Sequence, residues 1–308
     1  MRNLEEQGPD QHHRTGKLTI TSLASLWRAS LRLRPRWIAT IGLIPLLYAL
    51  GWLLVQPLRL ALPFDTGERL ALFGTLASLV LLFCVLPSWV RERWNSTHPW
   101  ISLGLRSRRD HIPGWQALLG GLGRAAILIF ILLLPLLIGS WGRWLGELSL
   151  GELFNALVLC FGVGLAEELL FRGWLWGELK LFFDSRTAVL LQALIFSLVH
   201  TRFNLGFLPM VSLLTGLLLL GIVLAMQRRL DEGSLWGCIG LHGGLVGGWF
   251  ALRAGLLQFS PDAPTWLVGP GGIHANPLGG IIGIGALMVL LWRQLTALAN
   301  AARPCTGA

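Results

Sequence analysis

The sequence predicts an all-α, polytopic membrane protein, a bundle of about eight transmembrane helices with an intramembrane polar cavity. Of the 308 residues, 54% are hydrophobic and only 13% are charged, and the chain contains 38 Gly and 15 Trp. Hydropathy this high is typical of membrane proteins rather than of soluble domains. Apolar runs of about 20 residues, the length that a helix needs to cross a bilayer, recur along the chain.

Eight such runs predict eight spans. A polar and basic segment, residues 1–36, precedes them and is expected to lie at the membrane interface. The spans are expected near 37–60, 69–90, 118–141, 152–177, 187–203, 206–226, 234–254 and 277–298. Residues 37–140 then hold three N-terminal helices, 150–255 hold the helices that carry the polar residues, and 256–308 hold an outer loop, the last helix and a short tail.

The net charge of +9 is distributed as the positive-inside rule requires. With the N-terminus inside, eighteen Lys and Arg residues fall in inner segments and three in outer loops. This bias predicts a multi-pass protein with both termini in the cytoplasm and with membrane lipids as partners of its basic residues. The chain contains no nucleic-acid motif, so we expect no nucleic-acid partner. The oligomeric state is not predicted.

The most informative stretch, residues 163–177, places three ionisable residues inside an apolar helix. Each charge at membrane depth costs about 2.5 to 3.5 kcal/mol on insertion scales. Glu168 and Arg172 are four residues apart, so they share a helix face and are expected to form an ion pair. Glu167 lies about 100° away around the helix and has no local partner. This carboxylate is therefore the candidate for proton transfer.

His200, in the next predicted helix, lies at the depth of Glu167. The turn between the two helices centres near residues 183 and 184, and both side chains are about sixteen residues from it, or about 20 Å at 1.5 Å per residue. A Glu and a His at one depth can share a proton or bind one water or metal ion.

His242 lies in a glycine-rich predicted helix. The small-xxx-small pairs in this helix, which allow close helix packing, are Gly243 with Gly247 and Gly244 with Gly248. Such packing can hold His242 in a narrow cavity that faces the other two helices. The alternative is a packing helix whose His only forms a hydrogen bond across the bundle. The second membrane His and the Glu pair favour the functional interpretation.

These residues resemble three motifs of the CAAX protease and bacteriocin-processing (CPBP) family, which includes the Ras-converting CAAX endopeptidases. The motifs are Glu-Glu-x-x-x-Arg at 167–172, Phe-x-x-x-His at 196–200 and a later His at 242. The resemblance covers roughly residues 150–255. The Gly-rich surroundings of His242 are similar to those of members from cyanobacteria and plastids, which implies a bacterial cell membrane or a thylakoid membrane.

The resemblance implies an eight-helix intramembrane endopeptidase that acts on a membrane-associated peptide or protein. Glu167 would activate a water for attack on a peptide carbonyl, assisted by His200 and His242, with Glu168 and Arg172 completing the site. The family is labelled metalloprotease, and two His with one Glu are sufficient ligands for a catalytic zinc. No His-Glu-x-x-His is present, so a zincin site is excluded. We favour a glutamate-activated water and leave open a zinc ion at His200 and His242.

One position departs from the family pattern. The third motif is usually His-x-x-x-Asn, where the amide helps to stabilise the oxyanion, and the fourth residue after His242 is Val246. Losing one oxyanion donor can cost about a hundred- to a thousand-fold in rate. Asn204, shortly after His200, is a candidate substitute.

Two other functions stay open. A non-catalytic membrane scaffold, or an immunity-type protein that keeps the protease fold, would explain Val246. A proton-coupled transporter would also place Glu and His in the membrane, although no internal repeat supports it. The intact Glu-Glu-x-x-x-Arg motif together with His200 favours the enzyme.

Overall fold

The structure is a computed structural model, and it confirms the predicted helical class. It describes residues 25, 27–31, 35–58, 67–106, 112–260, 262–271 and 275–303. The described residues are 78% helical and include almost no strand. The predicted interfacial segment, residues 1–36, lies largely outside the described residues. The chain divides into two compact units, Met1–Asn95 and Ser96–Ala308.

The first unit contains two long apolar helices, α1 (Trp37–Val55) and α2 (Gly67–Trp94), which pack against each other. Near the end of α2, the buried Arg93 guanidinium donates hydrogen bonds to the carbonyl oxygens of Leu31 (3.2 Å) and Arg36 (3.0 Å). These bonds compensate a charge that would otherwise be costly to bury.

The second unit contains the helices that surround the predicted site. In chain order they are α3 (Pro99–Leu103), α4 (Gly114–Ile138), α5 (Leu150–Leu179), α6 (Ser185–Leu198), α7 (Phe207–Leu230), α8 (Trp236–Ala251), α9 (Thr265–Val268) and α10 (Ile281–Ala301). Two short strands, β1 (Gly142–Trp144) and β2 (Leu257–Phe259), pair antiparallel with Arg143 opposite Gln258. This sheet is not predicted from the sequence, because three-residue strands are too short to show an alternating pattern.

Within the described residues, six helices are long and apolar enough to cross a membrane, fewer than the eight predicted spans. They are α1, α2, α4, α5, α7 and α10. The fifth and seventh predicted spans do form helices. Helix α6 has only 14 residues, whereas α8 has 16 and continues directly into a π turn, Leu252–Leu256. Most residues of α8 are buried against protein, so this helix does not present the apolar surface of a lipid-facing span. The protein is therefore an integral, multi-pass membrane protein with a smaller number of full-length spans.

Helix α6 ends at Leu198, before the predicted end at residue 203, so His200 lies in the turn after the helix rather than within it. The His200 Nδ1 atom lies 2.7 Å from the Phe196 carbonyl oxygen, and the Thr201 hydroxyl donates to the Leu198 carbonyl over 2.6 Å. These side chains satisfy carbonyl groups that have no helical partner at a C-terminus, which favours ending the helix here.

Glycine allows α8 to pack closely against α4 and α5. A Cβ at Gly243 or at Gly247 would collide with backbone carbonyl oxygens of α5. One at Gly244 or at Gly248 would collide with side chains of α4. Both predicted small-xxx-small pairs therefore lie at close helix contacts.

Replacing Gly243 by Ala is expected to destabilise the protein by about 1 to 3 kcal/mol, because the added Cβ overlaps a backbone oxygen that cannot move away by side-chain rotation. Gly162→Ala is the matched control, since a Cβ at this α5 position meets nothing within 4 Å. Thermal unfolding of both purified variants in detergent measures the difference. Equal melting temperatures would contradict the close packing of α8 on α5.

Candidate active site

Helix α5 carries the two carboxylates between two π-helical turns. The α-helical segment Gly164–Glu168 follows the π turn Leu159–Val163 and precedes the π turn Leu169–Leu175. Each π turn contains more residues than a regular turn, so it rotates the side chains beyond it relative to a straight α-helix. Such turns are rare and occur frequently at functional sites.

Glu168 and Arg172 form the predicted ion pair. Arg172 Nη1 donates to Glu168 Oε1 over 2.9 Å, and both side chains are fully buried. The guanidinium also lies over the Phe196 ring, with Cζ 4.1 Å from the ring centroid. The two opposite charges compensate each other inside the bundle, where either one alone would be costly.

The same carboxylate binds His242. The distance from His242 Nδ1 to Glu168 Oε1 is 2.8 Å, and both side chains are buried. A carboxylate oxygen paired with Arg172 is an acceptor, so Nδ1 is the protonated, donating nitrogen. In the neutral ring Nε2 is then the acceptor. Glu168 therefore sets the tautomer of His242, a contact that the sequence analysis does not predict.

Glu167 faces both histidines. Its Oε2 atom lies 3.7 Å from His200 Nε2 and 3.8 Å from His242 Nε2. Because His200 Nδ1 faces the Phe196 carbonyl oxygen, Nδ1 is the donor there and Nε2 is the acceptor in the neutral ring. Glu167 Oε2 is buried and has no hydrogen-bond partner among the described residues. The structure thus brings together the three predicted residues, at separations that suit a bridging water.

These groups line a cavity of about 750 Å³ in the second unit. Most of its wall is apolar. The polar side chains that line it include Glu167, His200, Arg202, His242, Arg253 and Asn276. The Glu167 and His200 side chains are 28% and 33% exposed, so a molecule in the cavity can reach them. An apolar cavity with a few convergent polar groups is typical of a binding or catalytic site.

Val246 lines this cavity as well, one helical turn after His242. Asn204 does not line it and instead borders a separate pocket next to Leu205 and Gly271. The structure therefore does not support Asn204 as the substitute for the missing amide. Asn276, which the sequence analysis does not single out, lines the main cavity.

The donor types around Glu167 are those of a catalytic zinc site. Within the described residues, however, no group of three His, Cys, Asp or Glu side chains is arranged to hold a metal ion. The residues as arranged do not fit a three-ligand metal centre. The zinc ion at His200 and His242 stays a prediction, and no chemical step below passes through a metal.

Fold and site together define a multi-pass membrane protein with a glutamate–histidine site in an apolar cavity. Residues 149–247, from the start of α5 into α8, match the family model of the type II CAAX prenyl endopeptidases, Rce1-like. The resemblance to the CAAX protease family is therefore confirmed for this segment, which contains all five predicted site residues. Residues 17–98 match a domain of unknown function, DUF8676. No curated protein and no solved structure matches the chain.

Proposed function

We propose that this protein is an intramembrane endopeptidase that hydrolyses a peptide bond of a membrane-associated peptide or protein. The observation that carries the proposal is the convergence of Glu167 Oε2 with the Nε2 atoms of His200 and His242, which are all hydrogen-bond acceptors when the two rings are neutral. Three acceptors cannot form hydrogen bonds with one another. One water molecule between them can donate a hydrogen bond to two of them. The match of this segment to an endopeptidase family supports the same function.

In the proposed reaction, the water gives a proton to Glu167 while its oxygen forms a bond to the carbonyl carbon. The carbonyl π electrons move to the carbonyl oxygen, which becomes the oxyanion of a tetrahedral intermediate. Protonated Glu167 then gives its proton to the leaving nitrogen as the C–N bond breaks, so the products are a carboxylic acid and an amine. The Nε2 atoms of His200 and His242 orient the water.

Glu168 and Arg172 act on His242 rather than on the substrate. Glu168 accepts the Nδ1 hydrogen of His242 and thereby directs its Nε2 lone pair toward Glu167. Arg172 compensates the charge of Glu168 in the buried site. We therefore assign Glu167, His200 and His242 as catalytic residues, and we assign the ion pair as their positioning support.

The proposal includes a location for the site and its substrate. The bias of Lys and Arg supports a cytoplasmic location for both termini, and the glycine-rich surroundings of His242 favour a bacterial cell membrane or a thylakoid membrane. The apolar cavity wall suits the apolar side chains of a peptide segment that enters from the bilayer.

Comparative proteomics of peptide termini tests the function. Membranes are prepared from cells that carry either the wild type or Glu167→Gln at equal levels of inserted protein. We expect a reproducible set of new peptide termini only in the wild-type membranes. Identical sets of termini, which also match those of membranes without the protein, would refute the peptidase and favour the non-catalytic scaffold.

Treatment with a chelator tests the role of zinc. Because the groups around Glu167 do not form a three-ligand centre, we expect the purified protein to keep its cleavage rate in 1,10-phenanthroline. Elemental analysis of the same sample measures its zinc content. Loss of activity that added zinc restores would instead establish a resident metal at the two histidines.

A further inference from the structure

An oxyanion formed in this cavity needs a hydrogen-bond donor that the water-binding groups do not supply. The carboxylate of Glu167 and the Nε2 atoms of neutral His200 and His242 are acceptors. Val246, where the family motif has an amide, presents only methyl groups. The donor must therefore come from another part of the cavity wall.

Residues 275–279, which precede α10, form such a part of the wall. Hydrogen bonds connect this segment to α8 at one end and to α7 at the other. Trp249 in α8 donates its indole N–H to the carbonyl oxygen of Ala275 over 3.1 Å. Ser212 in α7 donates its hydroxyl to the carbonyl oxygen of Gly279. The backbone between these two anchors is thus fixed before any substrate binds, as an oxyanion donor requires.

Asn276 lies between the two anchors, and its amide has a defined orientation. Its Oδ1 atom accepts a hydrogen bond from the Leu278 backbone N–H over 3.1 Å and caps the 3₁₀ turn Pro277–Gly279. Because the Leu278 N–H is a donor, the side-chain atom that faces it must be the amide oxygen of Asn276. The NH₂ group of the same side chain therefore points away from Leu278. Asn276 is only partly buried and lines the cavity, and this NH₂ group has no hydrogen-bond partner among the described residues.

We propose that the Asn276 NH₂ group donates the hydrogen bond that stabilises the oxyanion, in place of the amide that Val246 lacks. The inference rests on the proposed peptidase function. Asn276 lies outside the segment that matches the family model, residues 149–247, so the match does not assign it. Two charged side chains, Arg202 and Arg253, also line the wall. The Arg253 guanidinium lies 5.9 Å from the Phe259 ring centroid, a contact that leaves its N–H groups available, so Arg253→Gln is compared with the Asn276 variants.

Two variants remove the NH₂ group and keep the cap. Asn276→Asp keeps the shape of the side chain and an oxygen for the Leu278 N–H. Asn276→Ser keeps a capping hydroxyl without adding a charge, and this shorter side chain does not extend to the position of the NH₂ group. We expect both to cleave about a hundred- to a thousand-fold more slowly than the wild type, with nearly unchanged melting temperatures. The assay follows new peptide termini over time in proteoliposomes that contain the purified full chain and the membrane proteins of the host cell.

A second substitution distinguishes the loss of the oxyanion donor from the loss of the cap on the 3₁₀ turn. Val246→Asn places an amide one turn after His242, so we expect Asn276→Ser/Val246→Asn to recover at least about tenfold of the lost rate. A structural role in the loop would not respond to this change. Wild-type rates in both Asn276 variants, or a slow rate that Val246→Asn leaves unchanged, would overturn the inference. So would a loss in Arg253→Gln without a loss in the Asn276 variants.

The same assay separates failure of the peptidase function from failure of the donor assignment. If the wild type forms no termini beyond those in proteoliposomes without the protein, the peptidase function itself fails. If the wild type cleaves and Asn276 is dispensable, only the assignment of the oxyanion donor fails.

Discussion

Glu167→Gln is expected to lower the rate of peptide cleavage by about a thousand-fold while the protein stays folded and inserted. The amide keeps the size of the carboxylate but cannot accept a proton from the attacking water, and general-base catalysis contributes about 10² to 10⁴ in rate. Glu168 cannot take over, because its side chain is fully buried and does not line the cavity that a substrate and the attacking water would occupy. Initial rates in proteoliposomes, together with melting temperatures, measure the effect.

Glu152→Gln is the matched control, since it makes the same chemical change in the same helix. Glu152 is partly exposed at the start of α5, where its Oε2 atom accepts a hydrogen bond from the Ser149 backbone N–H in a capping box. Gln is also suited to this position of a capping box, so this variant should cleave at the wild-type rate. A wild-type rate in Glu167→Gln would assign the base to another group. Equal losses in both variants would indicate a general effect on α5.

Contacts within one helix or across one hairpin could be predicted from the sequence. The pairing of Glu168 with Arg172 follows from helical periodicity, and the meeting of Glu167 with His200 follows from counting residues from the turn. The hydrogen bond from His242 to Glu168 could not be predicted in this way. It depends on how α8 is rotated against α5, and the glycine pairs permit close packing without defining that rotation.

Other features leave no signal in an apolar sequence. The two π turns in α5 insert their extra residues among apolar side chains, so the hydrophobic pattern does not reveal them. Burial against protein and burial in lipid both favour apolar residues, so the sequence predicts spans at α6, which is too short, and at α8, which is mostly buried against protein. Asn276 belongs to an irregular loop, and its place in the cavity wall depends on the anchors at Trp249 and Ser212 rather than on any periodicity.

Arg172→Met is expected to destabilise the protein by about 3 to 5 kcal/mol, which is the usual effect of removing one partner of a buried ion pair. Glu168 would remain in the bundle as an uncompensated charge, because Arg172 is the cation that contacts its Oε1 atom over 2.9 Å. Met has a similar length and leaves no large cavity, so the loss of stability would come from the uncompensated charge of Glu168. Thermal unfolding in detergent and the yield of monodisperse protein after extraction measure it.

The double variant Glu168→Gln/Arg172→Met determines whether the charge itself is the cause. A neutral amide still accepts the Nδ1 hydrogen of His242 and leaves no charge buried, so most of the lost stability should return. If the double variant is as unstable as the single one, the loss comes from the contact of the guanidinium with the Phe196 ring. A single variant as stable as the wild type would mean that the ion pair does not hold α5 in the bundle.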